Sequence, residues 1–254
     1  MTDLAGRAAI VTGAGSGIGR GIAIRLAECG AAVLVAEINE ESGRETMGLL
    51  PHPNASVFAA DVSSPEGAKG SVDAALAAFG RLDILVNNAG AQVVKLSTEL
   101  DISEWEHMMN VNLRSVLLCS KYAIPYLARQ GGAIINIASV HARATTAEYA
   151  GYAASKSGIL GLTRGLALQC APMGVRVNTV SPGTIDTTLL QRYIESAPDP
   201  AGLRRQLLSL QPVGRFGNPR DIGSLVAFLA GDDATFITGT EIVADGGMTA
   251  SLFR

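Results

Sequence analysis

The octapeptide Thr12-Gly13-Ala14-Gly15-Ser16-Gly17-Ile18-Gly19 constrains this chain more than any other feature. It follows the apolar run Ala8 to Val11 and precedes a helical pattern from Arg20 to Cys29. Glycine at this density marks a tight strand-to-helix turn, lets backbone amides approach a ligand without Cβ interference, and lets the helix lie close to its strand. Such a turn aims the unpaired N–H groups of a helix N-terminus at an anion, pyrophosphate above all. The spacing is Gly-x3-Gly-x-Gly. Ile18 stands where the dinucleotide fingerprint Gly13-x-Gly15-x-x-Gly needs its third glycine, so the motif is a variant.

Apolar runs of strand character recur along the 254 residues: Ala8 to Val11, Ala32 to Ala36, Ser56 to Ala59, Ile84 to Val86, Ala133 to Ile137, Arg176 to Val180 and Glu241 to Val243. They are too short for helices and lack polar alternation, so both faces of the sheet they form are covered. Helical segments beginning near Gly17, Ser64, Ser103, Gly151 and Pro219 are long enough to cross between parallel strands. This alternation predicts an α/β chain, a doubly wound parallel sheet with helices on both faces, in a single domain across residues 1–254. Residues 184–218, with Pro198, Pro200 and Pro212 around short helical patterns, escape the alternation and read as an excursion covering a ligand.

Composition removes several function classes. Hydrophobic residues make up 48% and charged residues 17%, enough apolar surface to outweigh chain ordering and to exclude wholesale disorder. A net charge of -3 without a Lys/Arg cluster offers nucleic acid no attractive field. Polar residues interrupt each apolar stretch before about 18 residues accumulate, so no membrane span is expected. The start, with Asp3 and Arg7 ahead of the first strand, does not read as a signal peptide. Cys29, Cys119 and Cys170 are widely spaced, form no CxxC pair and lie near no His at metal spacing. They read as small apolar side chains in a reducing, cytoplasmic compartment, with no metal expected. His52 and His107 likewise read as surface or helix-face residues.

The second strand ends at Glu37, 24 positions after Gly13, close to the spacing of about 20 at which an acidic residue meets the ribose in dinucleotide sites. A carboxylate there accepts hydrogen bonds from ribose hydroxyls and repels a 2′-phosphate, and Ser16, Ile38 and Asn39 supply no cation to hold one. The expected cofactor is therefore NAD rather than NADP. The plainer alternative makes Glu37 a solvated strand end.

Further along, Asn87-Asn88-Ala89-Gly90 follows a strand, Asn112 lies in a helix, Ser139 follows a strand, and Tyr152-Ala153-Ala154-Ser155-Lys156 lies in a helical segment. Each alone has an ordinary explanation; a strand-terminal Ser is commonly a turn former. Taken with the glycine turn, Asp61-Val62, Pro182-Gly183 and the closing Ile237-Thr238-Gly239 to Asp245-Gly246-Gly247, they make the chain resemble the short-chain dehydrogenase/reductase family over nearly its whole length. The likeness is to the NAD-preferring, single-domain form with a Rossmann-like sheet. It implies an oxidoreductase acting on CH–OH groups, with Asn112, Ser139, Tyr152 and Lys156 as the catalytic set. In that set Ser139 would hydrogen-bond the substrate oxygen and Asn112 would hold a water in a relay from Lys156. The resemblance also implies that Gly13, Ser16, Gly17, Ile18, Gly19 and Glu37 bind the cofactor, with Asp61 and Val62 flanking the adenine. Asn88, Ala89 and Gly90 would line it, Lys156 would grip its nicotinamide ribose, Ile185 and Thr187 would hold the carboxamide, and Tyr152, Pro182 and Gly183 would also contact the cofactor. A homotetramer is implied too, built through the helices carrying Asn112 and Tyr152 and through the C-terminal strand and apolar tail, Met248 to Phe253. Two departures stand out: Glu37 where many relatives have Asp, and Ser115 in place of a frequent Gly.

Oxidising a secondary alcohol removes a hydride and a proton; the cofactor takes only the hydride, so a protein base must take the proton. A phenol titrates near ~10 in water, so Tyr152 needs its phenolate stabilised. Lys156, four residues on and on the same helix face, is expected to lower that value by charge attraction, aided by the positive nicotinamide. Tyr149 competes for the role, but its neighbour four residues on is Ala153.

The substrate wall is expected from His141, Arg143, Glu148, Tyr149, Leu189, Leu190 and Tyr193. His141 reads either as a solvated loop residue or as a contact to a substrate hydroxyl. With Glu148 it tilts the expectation towards a sugar or polyol, whereas Leu189, Leu190 and Tyr193 equally fit a steroid or other apolar ketone. Two rivals remain: an NADP-dependent carbonyl or steroid reductase, against which Glu37 stands, and a non-catalytic NAD-sensing regulator, against which intact Ser139, Tyr152 and Lys156 stand.

Overall fold

The computed structural model describes residues 2–51 and 54–251. His52 and the end of the apolar tail, Leu252 and Phe253, lie outside the described residues. The chain runs β1 (Ala8–Thr12), α1 (Gly17–Glu28), β2 (Ala32–Glu37), α2 (Glu40–Gly48), β3 (Ala55–Ala59), α3 (Pro65–Phe79), β4 (Ile84–Asn87) and α4 (Ile102–Met109). It continues through α5 (Ser115–Leu127), β5 (Ala133–Ile137), α6 (Ala150–Cys170), β6 (Arg176–Pro182), α7 (Thr188–Glu195), α8 (Pro200–Ser209), α9 (Pro219–Ala230) and β7 (Glu241–Ala244).

Successive strand residues point to opposite faces, and here both faces are apolar. From β1, Ala9 and Val11 join Val33, Val35 and Val86 against Ile22 and Leu26 of α1 and Ile222, Val226 and Leu229 of α9. Between them, Ile10 joins Leu34, Leu85 and Ile134 against Val72 of α3, Cys119 and Leu127 of α5 and Leu166 of α6. Each such buried branched side chain contributes about 1.5–3 kcal/mol, which explains why strands without polar alternation sit in a sheet covered on both sides. Among the described residues the strands form one seven-stranded sheet, every neighbour pair parallel, in the order β3-β2-β1-β4-β5-β6-β7. The chain winds outward from β1 to β3, then returns to β4 on β1's other side. That reversal opens a crevice at the carboxyl ends of β1 and β4, where the glycine turn and Asn88 begin.

Three local features depart from the expected pattern. α2 was not among the foreseen crossovers because its sequence, EESGRETMG, has no apolar period; it buries only Gly43 and Thr46, and starts where Asn39 accepts from the Ser42 amide at 3.1 Å. The crossover after β4 is two helices joined by a π turn over Asn110–Arg114, in which Ser115 Oγ donates to the Val111 carbonyl at 2.6 Å. The excursion of residues 184–218 carries α7 and α8, and its two ends are pinned together where Gly217 N donates to Thr184 O (2.9 Å) and Asp186 N to Gly217 O (2.7 Å). Among the described residues, no helix is long and apolar enough to cross a membrane. The thiols of Cys29, Cys119 and Cys170 are buried and unpaired.

Candidate active site

The glycine turn is built as its composition demands. Gly17 opens α1 at φ +52°, a left-handed value that L side chains rarely adopt, and a Cβ on Gly19 would lie 2.2 Å from the Gly13 carbonyl. Ser16 makes no side-chain cap, and no acidic residue stands in the first turn of α1. The first N–H groups of the helix therefore have no side-chain partner, and they border a cavity of about 480 Å³. An uncapped, glycine-lined helix start facing a cavity fits a pyrophosphate. Asn88 ties β4 to this turn: its Nδ2 donates to the Thr12 and Gly13 carbonyls, each at 3.0 Å, while the Asn88 and Ala89 amides donate to Thr12 Oγ1 at 3.0 Å.

At one end of the cavity Glu37 is fixed by backbone. Its Oε2 accepts from Gly15 N at 2.9 Å and its Oε1 from Ile38 N and Asn39 N at 3.0 and 3.2 Å. The nearby cation, Arg20, is committed to Glu45 at 3.0 Å, to Thr46 Oγ1 at 2.9 Å and to the Gly15 carbonyl. Asp61 lines the same end and accepts from the Ser63 amide and hydroxyl at 2.9 and 2.7 Å.

The other end is dry. Lys156 is 4% exposed; its Nζ donates to the Ile137 carbonyl at 3.0 Å and lies 5.7 Å from the centre of the Tyr152 ring. The Ser139 hydroxyl approaches the Tyr152 hydroxyl closely enough to favour its phenolate. A Cβ on Gly90 would come within 3.3 Å of Asn112 Oδ1 and 3.4 Å of Lys156 Nζ, so the bare backbone there leaves room beside both. The π turn carries Asn112 into the core, where Oδ1 accepts from Ala91 N at 2.7 Å and Nδ2 donates to Ala91 O at 2.8 Å and Ser155 Oγ at 2.9 Å. Both amide protons of Asn112 are thus spent on protein, and its side chain is first a strut.

Electrostatics correct one expectation. Burial pushes the Lys156 ammonium down to about 8. It pushes the Tyr152 phenol up to about 12, with the Ser139 hydrogen bond offsetting part of the rise and Tyr149 adding to it. Burial, rather than the Lys156 charge, sets the direction for Tyr152 in the chain alone, because each charged form loses its hydration. Tyr149, the competing phenol, stacks on His141 with centroids 4.4 Å apart.

Gly13, Ser16, Gly17, Ile18, Gly19, Glu37, Asp61, Val62, Asn88, Ala89, Gly90, Tyr152, Lys156 and Thr187 line the one cavity. Pro182, Gly183 and Ile185 do not. A Cβ on Gly183 would meet Asp245 Cβ at 2.7 Å, and Ile185 borders a neighbouring cavity with Val213 and Asp245. Ser139 and Asn112 stand behind the lining and reach it through Tyr152 and Gly90. The wall also holds Gln92, Val111, Ile137, Thr188 and the exposed His107, which sequence reasoning left out. His107 and Val111 are four residues apart on the approach to the turn carrying Asn112, a helical spacing that could have pointed to them. Among the described residues no three His, Cys, Asp or Glu side chains gather as a metal site.

A family model described as enoyl-(acyl carrier protein) reductase matches residues 13–249. The chain is 38% identical over 248 residues to a cyclohexanol dehydrogenase of Acinetobacter sp. (strain SE19), covering 96% of this chain and 95% of that one. It is also 38% identical over 247 residues to a cis-4-hydroxycyclohexanecarboxylate dehydrogenase of Sinomonas cyclohexanicum, covering 96% and 97%. A solved structure from Sinorhizobium meliloti 1021, assigned as a short-chain alcohol dehydrogenase, superposes with a TM-score of 0.93 at 39% identity, covering 98% of this chain and 99% of that one.

Proposed function

The chain belongs to the short-chain dehydrogenase/reductase family, whose dehydrogenases use a nicotinamide cofactor, and we propose that it oxidises a secondary hydroxyl on a six-membered ring with NAD. The observation that carries this reading is the gathering of buried Lys156 and Ser139 with half-buried Tyr152 at one end of a cavity whose other end is the glycine turn. Gly13, Ser16, Gly17, Ile18 and Gly19 would hold the pyrophosphate, and Glu37 the adenosine ribose. Asp61, Val62, Asn88, Ala89 and Gly90 would line the rest, with Thr187 at the carboxamide. Pro182, Gly183 and Ile185 would act from behind by setting where Thr187 stands.

When bound, the oxidised nicotinamide supplies a hydride acceptor and a positive charge beside the phenol. Ser139 donates to the carbinol oxygen and steadies the charge developing on it. Tyr152 takes the hydroxyl proton as the C–H bond is broken, so that alcohol becomes ketone. Lys156 holds the phenolate by attraction and grips the nicotinamide ribose. Asn112 Oδ1, which accepts one hydrogen bond from Ala91 N, would hold a water that carries the proton from Lys156 to solvent.

Glu37 supports NAD over NADP: its backbone-fixed carboxylate would face a 2′-phosphate, and Arg20, already paired with Glu45, does not neutralise it. The ring substrate rests on the two named relatives, which act on cyclohexanol and on a hydroxycyclohexanecarboxylate. A cyclic polyol, within the sugar and polyol class expected from sequence, has the same outline. The test is Tyr152→Phe assayed on cyclohexanol and cyclic polyols with NAD and NADP. NAD affinity by calorimetry should stay within a few-fold, while turnover falls by about 10³. Near-full activity would contradict the assignment.

A further inference from the structure

Next to the proposed acid/base stands an aromatic wall that none of the preceding chemistry uses. His141 and Tyr149 stack face to face, centroids 4.4 Å apart at 18°. Both stand edge-on to the Tyr152 ring, at 77° and 5.7 Å for His141 and 73° and 6.1 Å for Tyr149. The imidazole is held by that stack and by Nδ1 against Thr145 Oγ1 at 2.8 Å, and the His141 backbone amide donates to Ser139 Oγ at 3.2 Å. Its loop is in turn tied to β7 by Arg143 Nε on Glu241 Oε2 at 2.7 Å, with Glu241 Oε1 accepting from Ser181 at 2.6 Å.

With Nδ1 committed, Nε2 is the one polar ring atom left for a ligand. We propose that His141 Nε2 binds a second hydroxyl of the substrate, so that the site prefers an uncharged ring diol to a ring with one hydroxyl. The proposal rests on the reading of the site as a ring-alcohol dehydrogenase and deepens it. A hydroxyl fits because it donates or accepts, and so satisfies either neutral tautomer of the imidazole. Burial holds His141 below its ordinary value, which keeps the ring neutral at pH 7. A carboxylate fits poorly. The cations this segment touches are already paired, Arg143 with Glu241 and Lys95 with Glu104 at 2.7 Å, and the Tyr149 phenol is raised by burial, by Tyr193 and by the Glu148 carboxylate.

The experiment compares kcat/KM with NAD for cyclohexanol, the 1,2-, 1,3- and 1,4-cyclohexanediols and 4-hydroxycyclohexanecarboxylate, in wild type, His141→Phe and His141→Gln. Phe keeps the stack and removes Nε2; Gln restores a donor and an acceptor. The wild type should favour at least one diol over cyclohexanol by about tenfold, the worth of one well-made hydrogen bond. His141→Phe should bring that ratio to within about twofold of one, and His141→Gln should recover part of it. A wild type without diol preference, a preference retained in His141→Phe, or a carboxylate favoured over every diol overturns the inference while leaving the ring-alcohol reading intact. Failure to turn over any ring alcohol overturns both.

Discussion

The two ends of the cavity solve opposite problems. At the adenosine end the carboxylates of Glu37 and Asp61 face the opening and are steadied by backbone amides at 2.9 to 3.2 Å. At the reacting end Lys156 is buried and Tyr152 half-buried, and desolvation raises the cost of charging either. On the proposed reading, the contrast assigns recognition to fixed, partly hydrated charge and acid/base chemistry to a dry place where one arriving charge moves a pKa far.

Removing the buried cation strikes the dry end hardest. Lys156→Met should lower turnover by about 10² to 10³ and weaken NAD as well, read by steady-state kinetics and calorimetry. Loss confined to binding would mean that the two ends are less distinct than described. The exposed end should respond in selectivity alone: Glu37→Gln should narrow the ratio of kcat/KM for NAD over NADP by about tenfold with modest loss of turnover. A wild type that already prefers NADP would refute the role of Glu37.

The dry end should also show in stability. Native Lys156 titrates at about 8 against an ordinary 10.5, so between those values the unfolded chain holds a proton that the native state has shed. Stability of the wild type relative to Lys156→Met should therefore rise with pH across that window, by on the order of 3 kcal/mol, and stay flat below about 8. Thermal melts of both proteins from pH 7 to 10.5 measure it, and a constant gap would show that the ammonium is hydrated. The smallest effect belongs far from both ends: Asp199→Ala removes the side chain that accepts from Gly202 N at 2.9 Å at the start of α8. It should cost about 1 kcal/mol in denaturant unfolding.

Much of this was legible in the sequence because apolar runs, glycine density and helical spacing are local signals. Among the described residues all seven strands lie where those runs stand, and the four-residue step from Tyr152 to Lys156 does bring the ammonium to 5.7 Å from that ring's centre. What stayed hidden depends on packing. Nothing in Asn-Val-Asn-Leu-Arg announces a π turn, yet that turn is what carries Asn112 into the core. Ile185 follows Pro182-Gly183 in the expected way, but close approach by Asp245 keeps Gly183 off the cavity. Spacing brought the ammonium near the phenol; it could not reveal that burial disfavours the charged form of each.

The decisive measurement is a titration of the Tyr152 phenol itself, by ¹³C resonance of ring-labelled tyrosine with Tyr152→Phe to assign the signal, without and with saturating NAD. The phenol should titrate near about 12 in the protein alone and several units lower with NAD bound. A value unmoved by NAD would contradict Tyr152 as the base.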